Sequence, residues 1–508
     1  MSSKTLLGMP DELLFAILDH LKKDPYGTGC WQFKMIDIKT LRASCRRLNR
    51  IVSPCLYQTL YLSCHQLDLD VFRLVSKNPL LIGGVRELVI DDTTFPTCIN
   101  DWNTYKRAVT LWAYTQMDPD FDEDEDDLEE WEIQRRFDMS SSMVVTKSMW
   151  EHFNSGIKGH HENRLAHADI AALKEALPKM KSLCSLIVTN CTPFENRRSD
   201  SPFARMWRSP PSGGGRRPSW GERPWAPRCE HDGYNDPYEN DDVAYTRDYY
   251  NTRKSTIRAA YNVGRDPRIL SRQARVLHVA LHVLEDPDVG PRLQEFRVDA
   301  SESTISGCSP GLPITLFGNQ SPFPDRLLRA FSTTNMTELY LVLGNFDDGQ
   351  KGRNIMDHGR VTQLLSSLPQ LEQLHFEPHG MATSGALPQI TFPRLHTVQF
   401  YCGEVDPDKL IGFLERQGSV LKILHISHCN IPTDLGQLWG DVADRINRLQ
   451  RENVTNLQQG SFCENWVGEN QARCLGFQHS DPDYRESEDC VDWCLDDGRL
   501  FEKHSFGD

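Results

Sequence analysis

Long apolar runs are missing from this chain. No stretch approaches the roughly eighteen residues a helix needs to cross a bilayer. The opening Met1-Ser2-Ser3-Lys4 lacks the pattern of a cleavable leader. Two motifs that announce phosphate and dinucleotide sites are also missing: there is no G-x-x-x-x-G-K-[ST] loop and no G-x-G-x-x-G turn. None of the 15 cysteines forms a C-x-x-C pair, so the tight ligand pairs of zinc sites are absent. The nearest cluster, Cys463, Cys474, Cys490 and Cys494, is spaced too irregularly for zinc and reads as structural. His278-Val-Ala-Leu-His282 sets two imidazoles on one helix face. Position 279 is valine, so the glutamate of a metalloprotease helix is missing and a plain surface pair is expected. Basic excess is lacking too. Lys and Arg number 56 against 71 acidic residues, and a net charge of −15 argues against a general phosphate-binding surface. We expect reduced thiols and a cytoplasmic and/or nuclear protein, with no metal or cofactor, no nucleic acid and no membrane. Asn190, Asn335 and Asn453 open glycosylation triplets that such a protein leaves unused.

At 508 residues, 39% of them hydrophobic, the chain exceeds what one core usually serves, so more than one domain is expected. Its head is the most patterned stretch. Pro10 suits a first helical position, and Asp11 and Glu12 suit the first turn. Leu13, Leu14, Ile17, Leu18 and Leu21 recur at helical spacing. Leu41, Cys45, Leu48 and Val52 repeat the pattern before Pro54. So small a unit has more apolar face than it can bury alone, and the surplus calls for a partner; an ordinary helical hairpin is the alternative.

These residues resemble an F-box: Met9-Pro10-x-Glu12-Leu13-Leu14-x-x-Ile17-Leu18-x-x-Leu21, then Leu41-Arg42, Cys45-Arg46-Arg47-Leu48, Ile51-Val52 and Leu56-Tyr57. Met9 stands where the family usually has leucine, and residues Lys22 to Ile36 insert a loop between the first two helices. The resemblance implies docking on a Skp-type adaptor, and through it a cullin–RING ubiquitin ligase. Its contacts would be Met9, Pro10, Leu13, Leu14, Ile17 and Leu18, with Leu41, Cys45 and Leu48. Some of these must instead pack the head's own core. The resemblance implies no chemistry in this chain, which would be a non-catalytic subunit.

Downstream, apolar-x-x-apolar-x-apolar recurs seven times, starting at Val85, Leu183, Leu293, Met336, Leu371, Leu395 and Leu421. The fourth and sixth positions of each should face a core, and the third, fifth and seventh an open side. Of those 21 outward residues only Val89, Ile187, Val342 and Ile423 are aliphatic. The last four motifs start 35, 24 and 26 residues apart, with helical stretches at Val361 to Leu368 and Asp406 to Gln417. This resembles leucine-rich repeats in irregular form. The expected fold class is α/β: a short N-terminal helical F-box (1–62), then an irregular leucine-rich-repeat-like solenoid (63–450) and a tail, 451–508, with no clear fold. An unrelated α/β domain is the alternative to the solenoid. Two insertions interrupt the early repeats. Residues 118–130 carry ten carboxylates, which repel one another, and 197–246 have a disordered composition. Leu435 to Leu449 should cap the last repeat. On the open side, Tyr340, His375, Tyr401 and His425 are the candidate residues for an unknown protein substrate. The function expected is substrate recognition for a Skp–cullin–F-box ligase. A scaffold without substrate turnover, or an enzyme with an unrecognised site in the tail, are the other classes considered.

Overall fold

The computed structural model describes residues 9–19, 22–23, 32–33, 35–91, 101–103, 105–106, 146–189, 201–202, 275–299, 312–318, 321–344, 355–356, 359–378, 383–432, 439–463, 466–467, 492–496 and 499–503. The acidic run 118–130, and all of 197–246 except 201–202, lie outside the described residues.

The fold is mixed α/β around one long sheet. Nine parallel strands stand side by side in chain order: β1 (Thr59–Leu62), β2 (Glu87–Asp91), β3 (Ser185–Thr189), β4 (Glu295–Asp299), β5 (Glu338–Gly344), β6 (Gln373–Pro378), β7 (Thr397–Tyr401), β8 (Ile423–Ser427) and β9 (Gln459–Cys463). Two antiparallel strands, β10 (Asp492–Asp496) and β11 (Arg499–Lys503), extend the sheet beyond β9. Among the described residues each of these strands joins beside its predecessor, so their order never reverses and forms no switch-point crevice of the kind that holds ligands in doubly wound sheets.

The repeated motif explains this regularity. Its fourth and sixth residues are Leu60/Leu62, Leu88/Ile90, Leu186/Val188, Phe296/Val298, Leu339/Leu341, Leu374/Phe376, Val398/Phe400 and Leu424/Ile426, and every one is at most 2% exposed. The strands pair in register, so these side chains stack in two continuous apolar rows. A one-residue slip in any strand would turn its row toward solvent, and this holds the register.

The crossover helices close this face. They are α4 (Gln66–Lys77), α5 (Ala168–Ala176), α6 (Arg275–Leu284), α7 (Phe323–Phe331), α8 (Arg360–Ser366), α9 (Pro407–Gln417) and α10 (Trp439–Arg451). All share one core with the strand rows. The expected helices at 361–368 and 406–417 are therefore present. In α9, Pro407 takes the first position and the Asp406 carboxylate accepts from the N–H groups of Asp408 (2.9 Å) and Lys409 (3.3 Å). The helix ends at Gly418, whose φ of 56° and ψ of −133° suit only glycine. Loss of that N-cap in Asp406→Ala should cost about 1 kcal/mol, read as a lower denaturation midpoint.

The expected boundaries need correction at both ends. Thr59–Leu62, placed in the head, is the sheet's first strand. At the other end α10 does not cap a finished array, because β9 follows and pairs with β8. The sheet thus runs into the stretch 451–508 that had no expected fold.

The head consists of α1 (Asp11–Asp19), α2 (Met35–Ser44), α3 (Arg46–Val52) and a 3-10 turn, Ser53–Cys55. Pro10 precedes the first helical residue rather than occupying it, and its carbonyl accepts from Leu14 N–H at 3.2 Å. The insert begins as a short antiparallel ladder, Lys22–Lys23 against Gln32–Phe33, and Met35 and Ile36 already belong to α2. Arg47 ties α1 to α3, donating to Asp11 Oδ1 (2.5 Å) and to the Met9 carbonyl, while Arg50 reaches Asp11 Oδ2 at 3.0 Å. The Arg47 hydrogen bond holds the Asp11 carboxyl below its ordinary range.

No linker separates head from sheet, and their apolar residues form one core. At the junction a Cβ on Gly84 would sit 1.9 Å from the Pro54 carbonyl oxygen. Gly84→Ala must therefore push the 53–55 turn off the approach to β2. Thermal unfolding should show a loss of about 2 kcal/mol.

Candidate functional site

Two surfaces stand out, one on the head and one on the sheet. On α1 adjacent rows of leucines part company. Leu14 and Leu18 are 3% and 5% exposed and belong to the shared core. Leu13 and Ile17, one helical turn apart, are 53% and 41% exposed. Phe15 (44%) and Ile36 (67%) add to the exposed apolar area. Pro10 is exposed as well; Met9, Leu41 and Cys45 are half-buried. The Cys45 sulfur accepts from Leu48 N–H at 3.4 Å and so caps α3. Leu14, Leu18 and Leu48 are therefore corrected from contact residues to core residues, since a partner cannot reach buried side chains. Phe15 and Ile36 were missed because neither lies on the stripe that the leucines trace.

The sheet's second face carries the third and fifth motif residues. Its middle row runs Tyr61, Val89, Ile187, Arg297, Tyr340, His375, Gln399 and His425, each in register with the next. Between β4 and β8 this face is half-exposed and built of laterally packed groups. The Arg297 guanidinium lies 4.1 Å from the Tyr340 ring centroid. Tyr340 stacks on His375 (5.4 Å, 22°), and His375 on Tyr401 (6.5 Å, 27°). Tyr401 meets His428 edge-on at 4.6 Å. Three of the four expected residues, Tyr340, His375 and Tyr401, thus form one stack, and His425 stands beyond Gln399 in the same row.

Hydrogen bonds fix the stack. His375 Nδ1 is 2.9 Å from Gln399 Oε1, and its Nε2 is 3.4 Å from Oε2 of Glu377, which is buried. Arg297 Nη2 donates to Glu295 Oε1 at 2.6 Å, and the Ser185 hydroxyl donates to Glu295 Oε2 at 2.7 Å. Burial pushes the Glu338 carboxyl up, with repulsion from Glu295 adding to it. Burial pushes the His425 imidazole down, toward its neutral form. Sequence reasoning did not single out Glu295, Arg297, Glu338, Glu377 or His428. The first four sit at outward motif positions, and that was the available signal.

No family model matches the chain, and no curated protein matches it. Its function must therefore be argued from these two surfaces. Other groups add little chemistry. His278 and His282 face each other on α6 at 5.1 Å, and burial lowers the pKa of both. Among the described residues no group of three His, Cys, Asp or Glu could hold a metal ion. Cys463 and Cys494 lie on β9 and β10, while Cys474 and Cys490 fall outside the described residues.

Proposed function

We propose that this chain is an F-box protein, the substrate-recognition subunit of a Skp–cullin–F-box ubiquitin ligase in the cytoplasm and/or nucleus. The head docks on a Skp-type adaptor through Leu13, Ile17 and Phe15, with Pro10, Met9 and Leu41 beside them. The sheet, read as an irregular leucine-rich-repeat solenoid, holds a protein substrate on its half-exposed face. The chain performs no bond chemistry itself; it raises the effective concentration of substrate lysines near a charged ubiquitin carrier.

One observation carries this reading: the exposed apolar row on α1 beside leucines that are fully buried. A helix with both rows apolar has one face for its own core and one for something else. The strand order supports the second half, because stacked repeats add strands in chain order and leave one sheet face open. The test is capture of a purified Skp-type adaptor by the full chain, compared with the Leu13→Asp/Ile17→Asp variant. A wild-type level of capture by that variant would overturn the assignment.

A further inference from the structure

We propose that the open sheet face at β4–β6 receives one cationic side chain, lysine or arginine, from a partner peptide, with Glu338 as its counter-ion. This rests on the reading of that face as the binding side, and it names the chemistry of what binds.

Charge complementarity is the argument. Glu338 stands on the open face, in register with Glu295 on β4 and Gln373 on β6. Its neighbours have committed their polar groups laterally. Glu295 is held by Arg297 and Ser185, and Glu377 faces His375. Among the described residues the Glu338 carboxylate makes no ion pair or hydrogen bond, while its backbone N–H donates to the Gln294 carbonyl at 2.9 Å. The nearby cation, Arg297, directs both Nε and Nη2 to Glu295, and its guanidinium carbon lies 4.1 Å from the Tyr340 ring centroid. Its fork is therefore engaged, although its charge still reaches Glu338. Glu338 is left half-buried, with Glu295 and Glu372 repelling it. A half-buried carboxylate among like charges gains most from an incoming cation that also donates hydrogen bonds. An acidic peptide would add a third like charge at this point and is disfavoured by the same reasoning.

The experiment uses the full chain and short fluorescent serine–glycine peptides carrying paired lysines, paired arginines, paired acetyl-lysines or paired glutamates. The cationic peptides should bind, with the acetyl-lysine and glutamate forms about tenfold weaker or worse. Glu338→Gln should weaken cationic-peptide binding about tenfold. Glu175→Gln removes the same charge from an exposed position on α5 and should leave it unchanged. Equal losses in the two variants would assign the binding to diffuse attraction by the net charge of −15 and overturn the proposal. So would absence of binding by both cationic peptides at millimolar concentration, or full binding by Glu338→Gln. Adaptor capture is measured on the same samples. Loss there with peptide binding intact would count against the F-box reading alone, and the reverse against this inference alone.

Discussion

On the proposed docking, Leu13→Asp/Ile17→Asp should weaken adaptor binding by at least about a hundredfold while leaving the fold nearly as stable as before. The size follows from what an interface does with these side chains. Each buried leucine or isoleucine contributes about 1.5–3 kcal/mol, and tenfold in affinity is about 1.4 kcal/mol. Losing both contacts exceeds two decades before any cost of burying two carboxylates is counted. The fold is spared because both side chains point to solvent in the free protein, where substitutions usually move stability by less than about 0.5 kcal/mol. The neighbouring row behaves oppositely. Leu14→Ala and Leu18→Ala open cavities in the core and should each cost about 2–5 kcal/mol. They would weaken binding only by unfolding the head. Titration calorimetry with purified adaptor, beside a thermal melt of each variant, separates the two rows. If Leu13→Asp/Ile17→Asp melts normally and still binds, the exposed row serves another purpose.

That split between adjacent rows was not legible in the sequence. Leu13 and Leu14 are next to each other and about 100° apart on the helix; hydrophobicity alone gives one wide stripe. Which edge of it faces inward depends on where α3 and the sheet lie. The sheet was far more legible, because a period of two leaves no ambiguity once one face is apolar. Seven of the nine parallel strands carry the motif outright. The other two show what hides a strand. Tyr57-x-x-Leu60-x-Leu62 fits the pattern, but its tyrosine sits beside the head's helical leucines and was counted with them. Leu457-x-x-Gly460-x-Phe462 has glycine at the fourth position, which erases the signal although Leu457 is buried as its counterparts are. The lateral bonds of the open face were the least legible part. Ser185 and Glu295 bond across 110 positions of chain, and no local periodicity reports which strands become neighbours after so long an excursion.

The same excursion ends on a buried ion pair with a large expected effect. Asp169 on α5 and Arg275 at the start of α6 flank the long segment 190–274, and Arg275 Nη2 lies 2.5 Å from Asp169 Oδ1. Their side chains are only 3% and 6% exposed. Removing one partner leaves the other charge in a low-dielectric site without its counter-ion. Asp169→Ala should therefore cost about 3–5 kcal/mol, more than any surface pair here could supply. Little of this should vary with salt, because mobile ions do not reach so buried a pair. Replacing both residues by apolar ones, as in Asp169→Leu/Arg275→Met, should recover most of the loss, since desolvation of both ions then disappears together with their attraction. Urea unfolding of the two single variants and the double variant gives the coupling energy directly. A near-additive cycle would mean that the two charges are stabilised separately and that the pair does not hold α5 to α6. A large coupling would mean that one buried contact fixes how α6, packed behind β3, rejoins the sheet after the excursion. Because β3 and β4 carry Ser185, Glu295 and Arg297, Asp169→Ala should also loosen the acidic end of the open face, and cationic peptides should bind it less tightly than they bind the double variant.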